Sequence, residues 1–247
     1  MRIALPAFFL TASVLWLAYG VQRHQFEALI AFYSCAIGAW WWLCRENTST
    51  TFLITLGLSL RLFMLPALPF WSDDMYRFLW DGRLIAEGIS PWLHTPAQAA
   101  NRYPHLAASP EFPLINSLHF VSVYPPPLQG LFALSAVFEP LWARILMLKL
   151  PLMLSEIAAL LLLKKLISKN IFPSSALALY ALHPLIILEG VGNVHHEILL
   201  IPLLALSFLY LRNSFSLGWL SLGASIKISP LAWMPWWIMH NSNKMRA

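Results

Sequence analysis

Hydrophobic residues occur along this chain in long unbroken blocks, not in the short amphipathic stripes of a water-soluble core. Residues 3–20, 26–44 and 51–70 are apolar over 18, 19 and 20 positions, each close to the roughly 20 residues a helix needs to cross a bilayer core. Another full-length block covers 142–163, shorter ones cover 174–188 and 198–211, and a last long one covers 217–239. The block at 128–138 has 11 residues and is too short to cross alone. The pattern predicts an all-α fold, a polytopic membrane bundle of about seven to eight hydrophobic helices. Gln22-Arg23-His24 leads straight from the first block into the second with no small-residue cleavage site, so the first block reads as a retained helix.

One polar stretch interrupts the pattern. Residues 71–92, WSDDMYRFLWDGRLIAEGISPW, hold Asp73, Asp74, Asp81 and Glu87, and with Glu111 this loop region carries five of the eleven acids in the chain. At helical spacing Met75, Phe78, Leu79, Gly82, Ile85 and Ala86 form an apolar stripe, and Asp74, Arg77 and Asp81 follow one another on a polar face. This predicts an amphipathic helix lying in the membrane interface, inside a large loop over 71–118, with its carboxylates turned to water or a cavity. Pro96, Pro104, Pro110 and Pro113 prevent any long helix after it. Tyr124-Pro125-Pro126-Pro127 then forms a rigid, extended lead into the short block.

Composition confirms the class. The chain of 247 residues is 59% hydrophobic and 11% charged, against about 25% charged for a soluble domain. Its formal net charge of +5 is scattered between apolar runs, which argues against a nucleic-acid partner. Cys35 and Cys44 lie too far apart in one helix to be bridged. Arg61, Glu156 and Lys227 sit inside apolar blocks, where a charge is costly and faces the bundle interior or a wet cavity. Glu156 and Lys227 are candidates to pair with each other. Arg45, Lys164, Lys165, Lys169 and Arg212 mark the cytoplasmic side, so 71–118 and 189–197 share the opposite side if the short block does not cross. The tail residues Lys244 and Arg246 run against that rule.

Several motifs occur in a telling order. Ser72-Asp73-Asp74-Met75-Tyr76-Arg77-Phe78-Leu79-Trp80-Asp81-Gly82 is followed by Gly88-Ile89-Ser90-Pro91-Trp92, then by Tyr124-Pro125-Pro126 with Gln129. Pro184-Leu185-Ile186-Ile187-Leu188-Glu189 leads to Gly192-Asn193-Val194-His195-His196-Glu197, and Lys227 precedes Pro230. From about residue 51 to 237 this resembles the bacterial polyprenyl-phosphate-mannose-dependent mannosyltransferases of the GT-C superfamily. The chain departs from that pattern at Phe78, where a tyrosine is usual, and at Ser90-Pro91-Trp92, which stands for Asn-Pro-Tyr. The resemblance implies one glycosyltransferase-like membrane domain over 1–247, expected to be C-terminally short, in the bacterial inner (plasma) membrane with its active-site loop non-cytoplasmic. It implies inverting transfer of a hexose, mannose above all, from a polyprenyl-phosphate donor to a glycan or lipid acceptor, with an aspartate as base.

Glycosyl transfer needs a carboxylate to take the acceptor proton and cations to meet the leaving phosphate. Asp74 is the candidate base, with Asp73 as neighbour and second choice. Arg77, Arg83, His195, Lys227 and Arg61 are the candidate substrate contacts by charge, His196 being the alternative to His195. Asp81, Tyr124, Gln129 and Glu197 join them as motif positions, and Trp80 or Trp92 could stack on a sugar. Adjacent histidines diverge on a helix, which argues against a metal site at His195-His196. The sequence points to no definite cofactor and leaves a divalent cation open. A transporter or flippase of a lipid-linked substrate, or an inactive partner to a second membrane subunit, fits the same composition. Internal inverted repeats, the mark of many transporters, are not visible.

Overall fold

A computed structural model describes residues 2–69, 71–211, 213 and 215–245, the last five by backbone alone. Phe70 at the end of the third block, the topology marker Arg212, and Arg246 in the tail lie outside the described residues, as does the side chain of Lys244. All regular structure among the described residues is helical. In order these are α1 (Ala4–Tyr19), α2 (Phe26–Arg45), α3 (Thr50–Met64), α4 (Asp74–Ala86), α5 (Pro96–Arg102), α6 (Pro104–Ala107) and α7 (Pro126–Ser135). They are followed by α8 (Leu141–Ser168), α9 (Ser175–Ala181), α10 (Pro184–Ile187), α11 (Leu200–Leu209), α12 (Phe215–Ile226) and α13 (Met234–Met245).

Among the described residues two helices are long and apolar enough to cross a membrane, α2 with 20 residues and α8 with 28. At 1.5 Å per residue α8 is about 42 Å long, enough to exceed a hydrocarbon core of about 30 Å. A third crossing is available if α9 and the segment Pro184–Gly192, bent by 46° at their junction, count as one broken span. The other apolar helices are shorter: Ala4–Tyr19, Thr50–Met64, His196–Leu209 and Phe215–Ile226.

Proline decides where the predicted blocks break. The block 51–70 ends as helix at Met64, because Pro66 and Pro69 cannot continue it. Its exposed carbonyls are met by the buried Lys149, whose ammonium donates to the oxygens of Met64 (2.7 Å) and Ala67 (2.5 Å), a favourable cation at a helix C-terminus. The block 217–239 is not one span. α12 stops at Ile226, and a 3₁₀ turn over Ser229–Trp233 precedes α13, since Pro230 lacks the N–H a continuing helix would use. Lys227 therefore sits at a helix break, not at mid-span.

The predicted interfacial helix also differs. α4 forms over the expected residues, but Met75, Arg77, Phe78, Leu79, Trp80, Asp81, Gly82 and Leu84 are all buried. It is packed on both faces, chiefly against α7. A Cβ on Gly82 would stand 2.1 Å from the Phe132 carbonyl oxygen, so the absence of a side chain is what lets α4 and α7 approach.

Arg61 and Glu156 are both fully buried and lie 2.8 Å apart. Arg61 also donates to the carbonyls of Gly57 (3.0 Å) and Ala181 (2.6 Å), and the Tyr180 hydroxyl donates to Glu156. Glu156 thus pairs with Arg61 across α3 and α8, not with Lys227. Gly57 permits this meeting, because a Cβ there would come 2.6 Å from the Ala181 oxygen.

Arg144, near the start of α8, binds Glu111 of the polar loop at 2.7 Å, whereas Lys164, Lys165 and Lys169 stand at the other end of the same helix. Cysteine placed at the exposed positions Asn101 and Lys169, in a background lacking Cys35 and Cys44, is expected to react with an impermeant maleimide from opposite sides of intact vesicles. Same-side labelling would refute α8 as the crossing between them. Arg61→Leu strands a buried carboxylate and is expected to cost about 3–5 kcal/mol, while Arg61→Leu combined with Glu156→Leu recovers most of it. Unfolding in detergent monitored by circular dichroism measures both, and additive losses would contradict the pairing.

Candidate active site

The two adjacent aspartates at the start of α4 point to different places. Asp73 is half-exposed and lies 3.0 Å from Arg23 in the turn after α1. Asp74 stands in the first turn of α4, where the helix dipole favours a carboxylate, and its Oδ1 accepts a hydrogen bond from Asn116 at 3.0 Å. Asp74 lines a cavity of about 750 Å³; Asp73 does not.

That cavity has a mixed lining. Asp74, Tyr124, His195, Glu197 and Lys227 provide polar groups, while Leu128, Ile226, Ile228 and Leu231 contribute hydrocarbon to the wall. The chain brings these residues together at its breaks. Leu188–Gly192 forms a π-turn after α10. Asn193 then accepts from the Trp71 amide (3.2 Å) and donates to the Leu188 carbonyl (3.2 Å), tying this turn to the residues just before α4. Val194 follows with φ +62°, a conformation that costs a β-branched residue about 1–3 kcal/mol. It turns His195 towards Glu189, 2.8 Å away, while Lys227 at the end of α12 forms an ion pair with Glu197.

Electrostatics follow from these contacts. The hydrogen bond that His195 donates to the Glu189 carboxylate raises the His195 pKa above 6.5, outweighing the opposite effect of burial. Burial, reinforced by the charges of Asp74 and Asp81, pushes the Tyr124 phenol up to about 12, so Tyr124 stays protonated and serves as a neutral donor.

Other predicted site residues lie behind the wall. Asp81 is fully buried, 2.8 Å from Arg77 and 3.0 Å from Gln129. Gln129 also donates to Ser122 (2.7 Å), and Arg77 to Ser117 and Phe120. This network fixes the loop around the site. Arg77 itself lines a smaller cavity beside Asp74. Arg83 is paired with Glu111 at 2.8 Å, and Glu111 bridges it to Arg144. Burial opposes ionisation of Glu111, but the two guanidiniums prevail and hold its carboxyl below the usual range. Arg61 lies in the bundle interior with Glu156, away from the cavity. Trp80 is buried under the loop.

Asn116 had no sequence signal, and His196 was expected as the alternative to His195. Asn116 is one polar residue among many in the loop, and only folding brings it to Asp74. His196 is 5% exposed, with its ring centroid 4.5 Å from Phe78 and 5.0 Å from Phe132. Phe78, Tyr124 and His196 line the cavity, with Phe132 stacked behind Phe78 at 4.8 Å. Among the described residues no group of three or more His, Cys, Asp or Glu side chains is arranged to hold a metal ion. A separate apolar space of about 390 Å³ between α8, α9 and α11 carries no chemistry-bearing group besides Tyr180, which is already held by Glu156.

Residues 7–240 match the family described as alpha-(1->6)-mannopyranosyltransferase, N-terminal domain. No curated protein and no solved structure matches the chain.

The His195–Glu189 contact gives a pH signature. Because the folded-state pKa of His195 is raised, its stabilisation is complete below the unfolded value of 6.5 and is lost as pH rises through the folded value. Thermal unfolding is therefore expected to show the wild-type midpoint falling towards that of Glu189→Gln above about pH 6.5. A constant difference between the two proteins across that range would refute the charged pair.

Proposed function

The chain belongs to this alpha-(1->6)-mannopyranosyltransferase family, and from that premise we propose that it moves mannose from a polyprenyl-phosphate donor to an acceptor hydroxyl with Asp74 as general base. The observation that carries this reading is the position of Asp74. It lines a cavity of about 750 Å³ whose wall combines polar side chains with hydrocarbon from Leu128, Ile226, Ile228 and Leu231, a lining suited to a sugar phosphate with an isoprenoid tail. Lys227 and His195 of the same cavity supply cations for the phosphate. The reading makes 1–247 one integral-membrane unit of GT-C type, with the loop 71–118 on the non-cytoplasmic side of the inner membrane.

The step is a single displacement. The acceptor oxygen forms a bond to the anomeric carbon as the bond from that carbon to the phosphate oxygen breaks. Its electron pair leaves on the phosphate, and the acceptor proton passes to the Asp74 carboxylate. The phosphodiester carries one negative charge and the released polyprenyl phosphate two, so cations in this cavity favour the transition state over the ground state. Lys227, held at the cavity by Glu197, and His195, whose pKa Glu189 raises, meet that added charge. Inversion converts a beta-linked donor into an alpha product, in keeping with the family description. No nucleophile on the protein is required, and none of the steps uses a metal.

Asp73, engaged with Arg23 outside the cavity, has no part in this chemistry. Asp74→Asn is expected to lower turnover by about 10²–10⁴-fold with donor binding retained. Asp73→Asn should stay within a few-fold of wild type, as expected for an exposed ion pair. Transfer from polyprenyl-phosphate mannose in nanodiscs, with donor binding measured in parallel, tests both. Wild-type turnover in Asp74→Asn would refute the assignment, and a dead Asp73→Asn beside an active Asp74→Asn would move the base back one residue.

A further inference from the structure

The C-terminal end of α8 carries a feature that glycosyl transfer does not use. α9 and α11 both pack against α8 and leave between them the apolar space of about 390 Å³. Ala159, Leu163 and Leu166 form its α8 wall at helical spacing, and Leu204, Ala205 and Phe208 form its α11 wall. From Ala159 to Leu166 the groove runs about 10 Å along α8, at about 1.5 Å per residue. The one hydroxyl in its lining, on Tyr180, is turned to Glu156, so the groove presents hydrocarbon. It is also reachable from outside. Leu179 on the α9 side is 40% exposed, and Leu204, Ala205 and Phe208 are only partly buried.

This groove ends among cations. The stripe Ala159, Leu163, Leu166 continues one turn on to Lys169, which follows Leu166 on the same side of the helix. Lys165 stands one turn before Lys169, which sets two like charges side by side and is unfavourable until an anion lies near. Lys164, Lys165 and Lys169 are all exposed, and none is within ion-pair distance of a carboxylate among the described residues. The walls cannot supply one, because residues 157–188 and 198–247 contain no Asp or Glu. A helix C-terminus does favour cations, but its dipole amounts to about half a charge and cannot balance three. Arg144, which holds the polar loop, and Lys169 lie about 37 Å apart along α8. The groove is therefore remote from the cavity that Asp74 lines.

We propose that this groove is a lipid site, taking one acyl chain of a phospholipid whose anionic headgroup rests on Lys165 and Lys169. Hydrocarbon beside a cluster of unneutralised cations matches that amphiphile, and neither a neutral lipid nor a soluble phosphate satisfies both parts. The lysines place the headgroup in the cytoplasmic leaflet by charge. The lipid is a structural component and not a substrate. It fills the gap between α9 and α11, so its binding stabilises the fold.

Native mass spectrometry of the full chain in detergent, titrated with phosphatidylglycerol or with phosphatidylcholine of the same acyl chains, tests both parts. The wild type should bind phosphatidylglycerol on the order of 10-fold more tightly than phosphatidylcholine. Lys165→Gln combined with Lys169→Gln should abolish that preference, and Lys165→Arg combined with Lys169→Arg should keep it. Arg45→Gln removes a cation that does not line the groove and should change nothing. An equal loss in Arg45→Gln would mean diffuse attraction to a basic surface, and no preference in the wild type would mean bulk lipid only; either result overturns the site. The acyl chain is tested separately. Ala205→Trp fills the groove and should weaken phosphatidylglycerol binding by a similar factor. Glycerol phosphate, which has the charge without the chain, should not displace the lipid at equal concentration. Full phosphatidylglycerol binding by Ala205→Trp, or displacement by glycerol phosphate, overturns the groove as the seat of the chain. Where circular dichroism shows that Ala205→Trp has not folded, the glycerol phosphate competition with the wild type decides.

Discussion

The structure depends on how it accommodates charges inside an apolar bundle. An unpaired ion removed from water is so unfavourable that each buried charge dictates which segments must meet. Arg61 and Glu156 join α3 to α8 at 2.8 Å. Glu111 gathers Arg83 of α4 and Arg144 of α8 on one carboxylate, and the Arg144 guanidinium also donates to the Leu79 carbonyl at 2.6 Å. Lys149 has no carboxylate and is satisfied by the carbonyls that α3 leaves unpaired at its end. These contacts hold the end of α3, the start of α8 and the polar loop in one arrangement, and α4 is suspended between them.

The cavity that Asp74 lines is built where helices stop. Pro184 and Pro230 interrupt apolar stretches that would otherwise continue; α10 gives way to the π-turn Leu188–Gly192, and α12 stops at Ile226. Polar backbone and charged side chains are tolerated at such depth only where they face a cavity or other protein groups. That is where His195, Glu197 and Lys227 are found. The positive φ of Val194 is local strain sustained by surrounding contacts, among them the Asn193 side chain on Trp71. Gly82 contributes from the other side by letting α4 settle against α7, which sets the depth of Asp74 in the wall.

The cations near Asp74 are not free: His195 faces Glu189 and Lys227 faces Glu197. Asp73, one residue away, is kept outside by Arg23. Adjacent residues on a helix diverge by about 100°, and this alone suffices to give two like side chains different environments.

Composition and block length determined by themselves that this chain is helical and apolar, because both are local sums that survive any arrangement of the segments. The order of the motifs was equally legible and led to a mannosyltransferase family, as the family match supports, and the acidic stretch 71–92 stood out as the candidate place for chemistry. Only the tertiary structure decided which residues share a cavity. Arg61 with Glu156, Asp74 with Asn116, and Lys227 with Glu197 are separated by 95, 42 and 30 positions, and several alternatives, such as Lys227 with Glu156, were equally good by charge. The amphipathic face of α4 misled for the same reason. Periodicity reports that a helix has a polar side, but whether that side meets water or a buried partner such as Gln129 depends on what packs over it. Ion-pair choice is a matter of distance in space, and distance is set by where prolines end helices and where glycines allow them to touch.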